Sequence, residues 1–88
     1  MIGFLSGEVV ARDDPHIIIN VHGVGYKVLA ENSLLSRVIL NGQLKLFIYT
    51  HVREDAISLF GFLEFLDLKL FESLISVSGV GPKTAMNI

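Results

Sequence analysis

The chain has 88 residues, enough for one small core or for one small domain and the start of another. Hydrophobic residues make up 51% and charged residues 18%, which excludes a disordered chain, and no uncharged apolar run approaches the roughly 18–20 residues that a membrane span needs. The net charge of −2 lacks the basic excess of most duplex binders and leaves a local patch as the route to DNA, while the absence of cysteine excludes disulfides, thiolate catalysis and cysteine-based zinc sites.

The first eight residues carry no basic n-region, so they do not read as a secretory signal, and a cytoplasmic protein is the expectation. Residues 1–62 read as β structure. Residues 1–12 form the first strand and stop at Asp13-Asp14-Pro15, where aspartate caps its own backbone and proline presets φ. Residues 16–22 follow as a strand with Ile17, Ile19 and Val21 on one face and Ile18, Asn20 and His22 on the other. Gly23-Val24-Gly25 breaks it, and residues 26–30 resume. Residues 32–40 fit a short helical turn capped by Ser33, and Asn41-Gly42 is a hairpin signal. Gln43–Val52 is the next strand, Arg53-Glu54-Asp55 a charged tip, and residues 56–62 the last strand. Five or six short strands with glycine-rich turns predict a small barrel or sandwich, and the oligonucleotide-binding (OB) barrel fits that count.

The period then changes from two to about 3.6. Over residues 63–77, Leu63, Leu66, Leu70, Leu74 and Val77 make one helical stripe, widened by Leu68, Phe71 and Ile75. Lys69, Glu72, Ser73 and Ser76 make the polar side, into which Phe65 intrudes. So wide an apolar arc calls for partners beyond a small barrel. Residues 83–88 have neither a cap nor a stop signal and are too short for an isolated helix. The expectation is an all-β domain at 1–62 and the truncated start of a helical domain at 63–88.

Between the two helical segments lies Ser78-Gly79-Val80-Gly81-Pro82-Lys83-Thr84-Ala85. Gly79 and Gly81 permit positive φ and remove the Cβ atoms that block close approach. Pro82 suits the first position of a helix. Such a turn gathers free N–H groups and the positive end of a helix dipole, which together attract phosphate. Lys83 adds a mobile positive charge, Thr84 a hydroxyl donor, and Val80 an anchor into the core. The pattern is that of a helix-hairpin-helix, which grips DNA backbone without reading bases. A plain helix–helix turn is the alternative, and the added Pro82, Lys83, Thr84 and Ala85 favour phosphate.

Other residues invite chemistry less strongly. Glu54 and Asp55 are neighbours in extended chain and point opposite ways, which does not suit an acid/base pair. They read as a solvated turn or, with DNA near, as a negative tip that repels phosphates. His16, His22 and His51 have no ligand spacing, so neither a metal nor any other cofactor is expected. Lys45, Phe47 and Tyr49 alternate on one strand face, which either stacks single-stranded bases or packs under another element; exposure of two aromatics without a ligand is costly and favours packing. No Ser/His/Asp set, Walker loop or dinucleotide fingerprint is present, so the chain is not expected to be an enzyme.

Four segments resemble the RuvA family: residues 1–7 (Met-Ile-Gly-Phe-Leu-Ser-Gly), Gly23-Val24-Gly25-Tyr26, the stretch from Val52-Arg53-Glu54-Asp55-Ala56 to Leu59-Phe60-Gly61-Phe62, and residues 74–83 around the glycine turn. Their order and spacing cover nearly the whole chain. The resemblance implies an OB-fold domain followed by a helical one, and a homotetramer that holds a four-way (Holliday) junction open and flat. It implies the motor ATPase RuvB and the resolvase RuvC as partners. It places an acidic pin on Glu54 and Asp55 near the junction centre, and DNA-backbone contacts on Gly79, Val80, Gly81, Lys83 and Thr84. A second hairpin and the domain that engages RuvB, both implied for the family, do not lie within these residues, so weaker junction affinity and no activation of the motor are expected of this chain alone. Residues 63–68 depart from the family's usually polar pattern, which points to a covered interface. A scaffold for subunit association and a general single-strand binder are the alternatives.

Overall fold

The computed structural model describes residues 1–77 together with Gly81, Pro82 and Met86. Strand alternation dominates it. Ile17 and Ile19 are wholly buried on one face of a strand whose other face carries half-buried Ile18 and exposed Asn20. The elements are β1 (Phe4–Asp13), β2 (His16–Val21), β3 (Val24–Ala30), α1 (Asn32–Leu35), β4 (Gln43–Val52), β5 (Ile57–Phe62) and α2 (Phe65–Ile75).

The five strands close into a barrel in the order β1-β2-β3-β5-β4, with β4 returning to β1. All pairings are antiparallel except β3 with β5, which run parallel through Val28–Leu59, Leu29–Phe60 and Ala30–Gly61. β1 serves two neighbours: its first half pairs with β4 (Phe4–Phe47 to Glu8–Gln43) and its second half with β2 (Glu8–Asn20 to Asp13–His16). A register shift between Val9 and Ala11 gives the strand the bend this requires. The interior is filled by Leu5, Val9, Ile17, Ile19, Val28, Leu46, Ile48 and Leu59. Each such side chain contributes roughly 1.5–3 kcal/mol by leaving water.

Two motif glycines are steric necessities of closure. A Cβ on Gly7 would stand 2.2 Å from the Asn20 carbonyl oxygen, and one on Gly61 2.7 Å from Val28 Cγ1. The one buried polar side chain among the described residues, Thr50, is fully used: its hydroxyl donates to the Ile2 carbonyl (2.6 Å) and accepts from the Ile2 N–H (3.1 Å). Together with Ile48 N–H donating to the Gly3 carbonyl (2.9 Å), this ties the first residues along β4.

Several expectations need correction. The β2–β3 turn is His22-Gly23, with φ of 51° and 90°, so β3 starts at Val24 rather than after Gly25. Both residues have positive φ, as a two-residue hairpin requires, and Asn20 Oδ1 accepts from Gly23 N–H (2.8 Å). The cap of α1 is Glu31, whose carboxylate accepts from Leu34 N–H (3.1 Å); Ser33 instead donates to that carboxylate. Asn41-Gly42 makes a turn, with Gly42 N–H donating to Ile39 (2.9 Å), but no hairpin, because it links α1 to β4 and the chain on either side of it does not pair.

The helix also buries a different stripe from the one emphasised by its pattern. Leu68 and Phe71 are buried, Leu74 and Ile75 half-buried, while Leu66, Leu70 and Val77 face outward. The reason is the aromatic wall presented by β4 and β5. Phe71 sits 5.3 Å from Tyr49, 5.4 Å from Phe60 and 5.0 Å from Phe62, ring centre to ring centre. Phe65 lies edge-on to Phe47 at 5.4 Å, and Phe47 meets Phe4 at 5.4 Å. The Phe47–Tyr49 face is therefore packed beneath α2, as its cost of exposure predicted, and is not an open platform for bases.

Candidate nucleic-acid interface

β4 and β5 run past the rim of the barrel. β3 pairs with β5 only as far as Leu59, and the last contact of the N-terminal segment on β4 is at Thr50. Beyond these points His51–Ser58 and Val52–Ile57 pair only with each other, forming a free two-stranded ribbon. Arg53 N–H donates to the Ala56 carbonyl (2.8 Å) and closes its tip. Glu54 and Asp55 stand exposed on that tip, and neither has an ion-pair or hydrogen-bond partner among the described residues. Arg53 shares the tip, so its three charges leave one net negative. The ribbon is held at its base by the aromatic wall: His51 stacks on Tyr49 at 6.3 Å and meets Phe60 edge-on at 6.5 Å. A negative tip on a supported stalk repels phosphate and tolerates uncharged groups.

Of the glycine-rich turn, Gly79, Val80, Lys83 and Thr84 lie outside the described residues. Gly81 is exposed and does not have positive φ, and a Cβ there would meet nothing within 4 Å. Pro82 itself has helical backbone, and Met86 is buried against α2 and the β4–β5 wall.

The basic side chains divide in two. Arg12 is structural: its guanidinium donates to Asp14 (2.6 Å) and to the Leu35 carbonyl (2.7 Å), tying β1 to α1, and its hydrogen bond holds the Asp14 carboxyl below the usual carboxylate range. Lys69 pairs with Glu72 at 3.1 Å. Lys27, Arg37, Lys45 and Arg53 are exposed with no carboxylate partner among the described residues. A cleft of about 330 Å³ between α1 and α2 has Glu31, Glu64 and Asp67 on its wall with Arg37 among the described residues. No helix among the described residues is long and apolar enough to cross a membrane.

A closed five-stranded barrel in this strand order, with a parallel β3–β5 closure, is an OB-type barrel, and a helix begins a second layer on its outer wall. The sequence model of the RuvA N terminal domain family matches residues 1–61, and the chain belongs to that family. It is 43% identical over all 88 residues to the Holliday junction branch migration complex subunit RuvA of Halothermothrix orenii, covering 45% of that protein. It is 48% identical to the protein of the same name from Rickettsia bellii and 46% to that from Trichlorobacter lovleyi, covering 43% and 44% of them. The chain thus spans less than half the length of these curated relatives.

Proposed function

We infer that this chain binds four-way DNA junctions and serves as the DNA-gripping part of a branch-migration assembly, with no catalysis of its own. The observation that carries this reading is the free ribbon tipped by Glu54 and Asp55, unpaired and aimed away from the barrel. A linear duplex has no opening for a negative tip, whereas the centre of a four-way junction has one, because its strands part there. Selectivity then comes from repulsion everywhere except at the junction centre.

Affinity comes from the helix-hairpin-helix, where Gly79, Val80, Gly81, Lys83 and Thr84 hold backbone phosphate. In this division the barrel, residues 1–62, presents the pin, and residues 63–88 open the helical module that grips. The names of the relatives support the assignment to branch migration in recombination and repair. A RuvB-type ATPase would supply the work and a RuvC-type resolvase would cut the product, in the cytoplasm.

Four copies around one junction would place four acidic tips at its centre. The outward apolar residues of α2, Leu66 at 80% exposure with Phe65 and Leu70, and Val77 just after it, favour association of copies. Sedimentation equilibrium reads this directly, and a chain that stays monomeric at every concentration, with and without junction DNA, contradicts it.

The grip is tested by Lys83→Ala. The variant should weaken binding to junction and duplex alike and lower the slope of log affinity against log salt by about one unit for each hairpin engaged. An unchanged slope would remove Lys83 from the phosphate contact.

A further inference from the structure

The ribbon bears more than charge. Val52 and Ile57 face each other across its last rung and are 62% and 69% exposed. By strand alternation Val52 continues the line of Leu46, Ile48 and Thr50, the side chains that fill the barrel. Those three are buried because the barrel surrounds them. Val52 and Ile57 stand one rung beyond, where no other strand reaches, so an apolar pair sits unpartnered directly beneath Glu54 and Asp55.

The neighbours restrict what can cover this pair. Phosphate is kept away by the acidic tip. The same ribbon from a second copy would bring like charges together, which disfavours self-pairing. Uncharged flat apolar surface remains, and a DNA junction offers it in the faces of the nucleobases at the crossing point. Aliphatic side chains set against a base step are a general means of partly unstacking it.

We propose that Val52 and Ile57 form an apolar wedge that packs against the nucleobases at the point where the four strands cross, so that the ribbon holds the junction open by contact as well as by repulsion. This rests on the junction-binding reading above. Glu54 and Asp55 keep the backbones apart, and the Val52–Ile57 pair covers the base surface that parting them exposes.

The test uses the 88-residue chain and a four-way junction carrying 2-aminopurine, whose fluorescence rises on unstacking, beside the crossing point. The variant is Val52→Thr with Ile57→Thr, which keeps β-branched shape on an exposed strand and replaces a methyl of Val52 and the ethyl of Ile57 by hydroxyl; Ile57→Thr alone is the milder companion. Ile39→Ser is the control, since Ile39 is equally apolar and 74% exposed but lies in the α1–β4 connection, at the opposite end of β4. Urea midpoints confirm that each variant folds.

Saturating wild-type chain should raise the fluorescence. The double variant should lose at least half of that rise and about three- to tenfold in junction affinity, a change set by the small apolar area involved. Its salt slope and duplex affinity should not move, because phosphate contacts are untouched. Ile39→Ser should behave as wild type. A double variant that prefers junctions and gives the full fluorescence rise overturns the wedge while leaving the junction reading intact. A wild-type chain with no junction preference overturns both. Loss of self-association in the double variant without DNA, with fluorescence unaltered, assigns the pair to a second copy instead and also overturns the wedge.

Discussion

Replacing Glu54 and Asp55 together by lysine tightens binding to every form of DNA and erases most of the preference for junctions. The tip changes from one net negative charge to three net positive, a swing of four charges at one exposed point. Nothing in the fold opposes the change, since neither carboxylate has a partner among the described residues, so stability should be nearly unaltered. Two new lysines offer two new phosphate contacts, and each adds about 0.9 to the salt slope. At low salt, duplex affinity should rise by about tenfold or more, because the tip that was excluded from the backbone is now drawn to it. Junction affinity rises less, since the centre of a junction is where the wild-type tip was already accommodated. Anisotropy titrations of junction and duplex at two salt concentrations measure both. If the ratio of the two affinities survives the reversal, the tip does not select junctions.

The second large effect is structural and isolates why a motif residue is glycine. Gly7→Ala would set a methyl 2.2 Å from the Asn20 carbonyl oxygen, a backbone atom that moves only if β2 moves. Gly7 lies just before the point where β1 transfers its pairing from β4 to β2, so the strain falls on the seam of the barrel. Overpacking into side chains typically costs 1–3 kcal/mol, and a clash with backbone should reach or exceed the top of that range. A domain of this kind holds about 5–15 kcal/mol in all, so the urea midpoint should fall by about 1 M or more. Gly3→Ala is the internal comparison: a Cβ there meets nothing within 4 Å, and the midpoint should stay where it is. Equal midpoints for the two variants would show that the β1–β2 approach is looser than these distances indicate.

The barrel was legible because its strands alternate over four or more residues with one buried face. Ile17 and Ile19 announced β2, and the alternation of Lys45, Phe47 and Tyr49 on one face announced β4. The charged tip at Glu54 and Asp55 was legible for the converse reason, as three charges between two such runs. What failed was set by partners distant in sequence. The pattern of α2 contains two overlapping stripes, and only the ring wall of Tyr49, Phe60 and Phe62 decides that Leu68 and Phe71 turn inward rather than Leu66 and Leu70. Asn41-Gly42 gave the turn correctly but not the neighbour, since pairing β3 with β5 in parallel is a property of closure and leaves no local mark. His22 in the left-handed region was missed because His-Gly is a weaker signal than Asn-Gly for the same geometry. Val52 and Ile57 were read only as members of their strands, and the position of the rim is what shows that they lie beyond the core.

Recognition of DNA by branching rather than by sequence is what we infer for this chain. The measurement that tests it most directly is a titration of the 88-residue chain against a four-way junction and a linear duplex of equal length and composition, each at two salt concentrations. Binding to the junction should be the tighter at both, with both affinities falling as salt rises. Equal affinity for the two DNAs, or binding to neither, would contradict it.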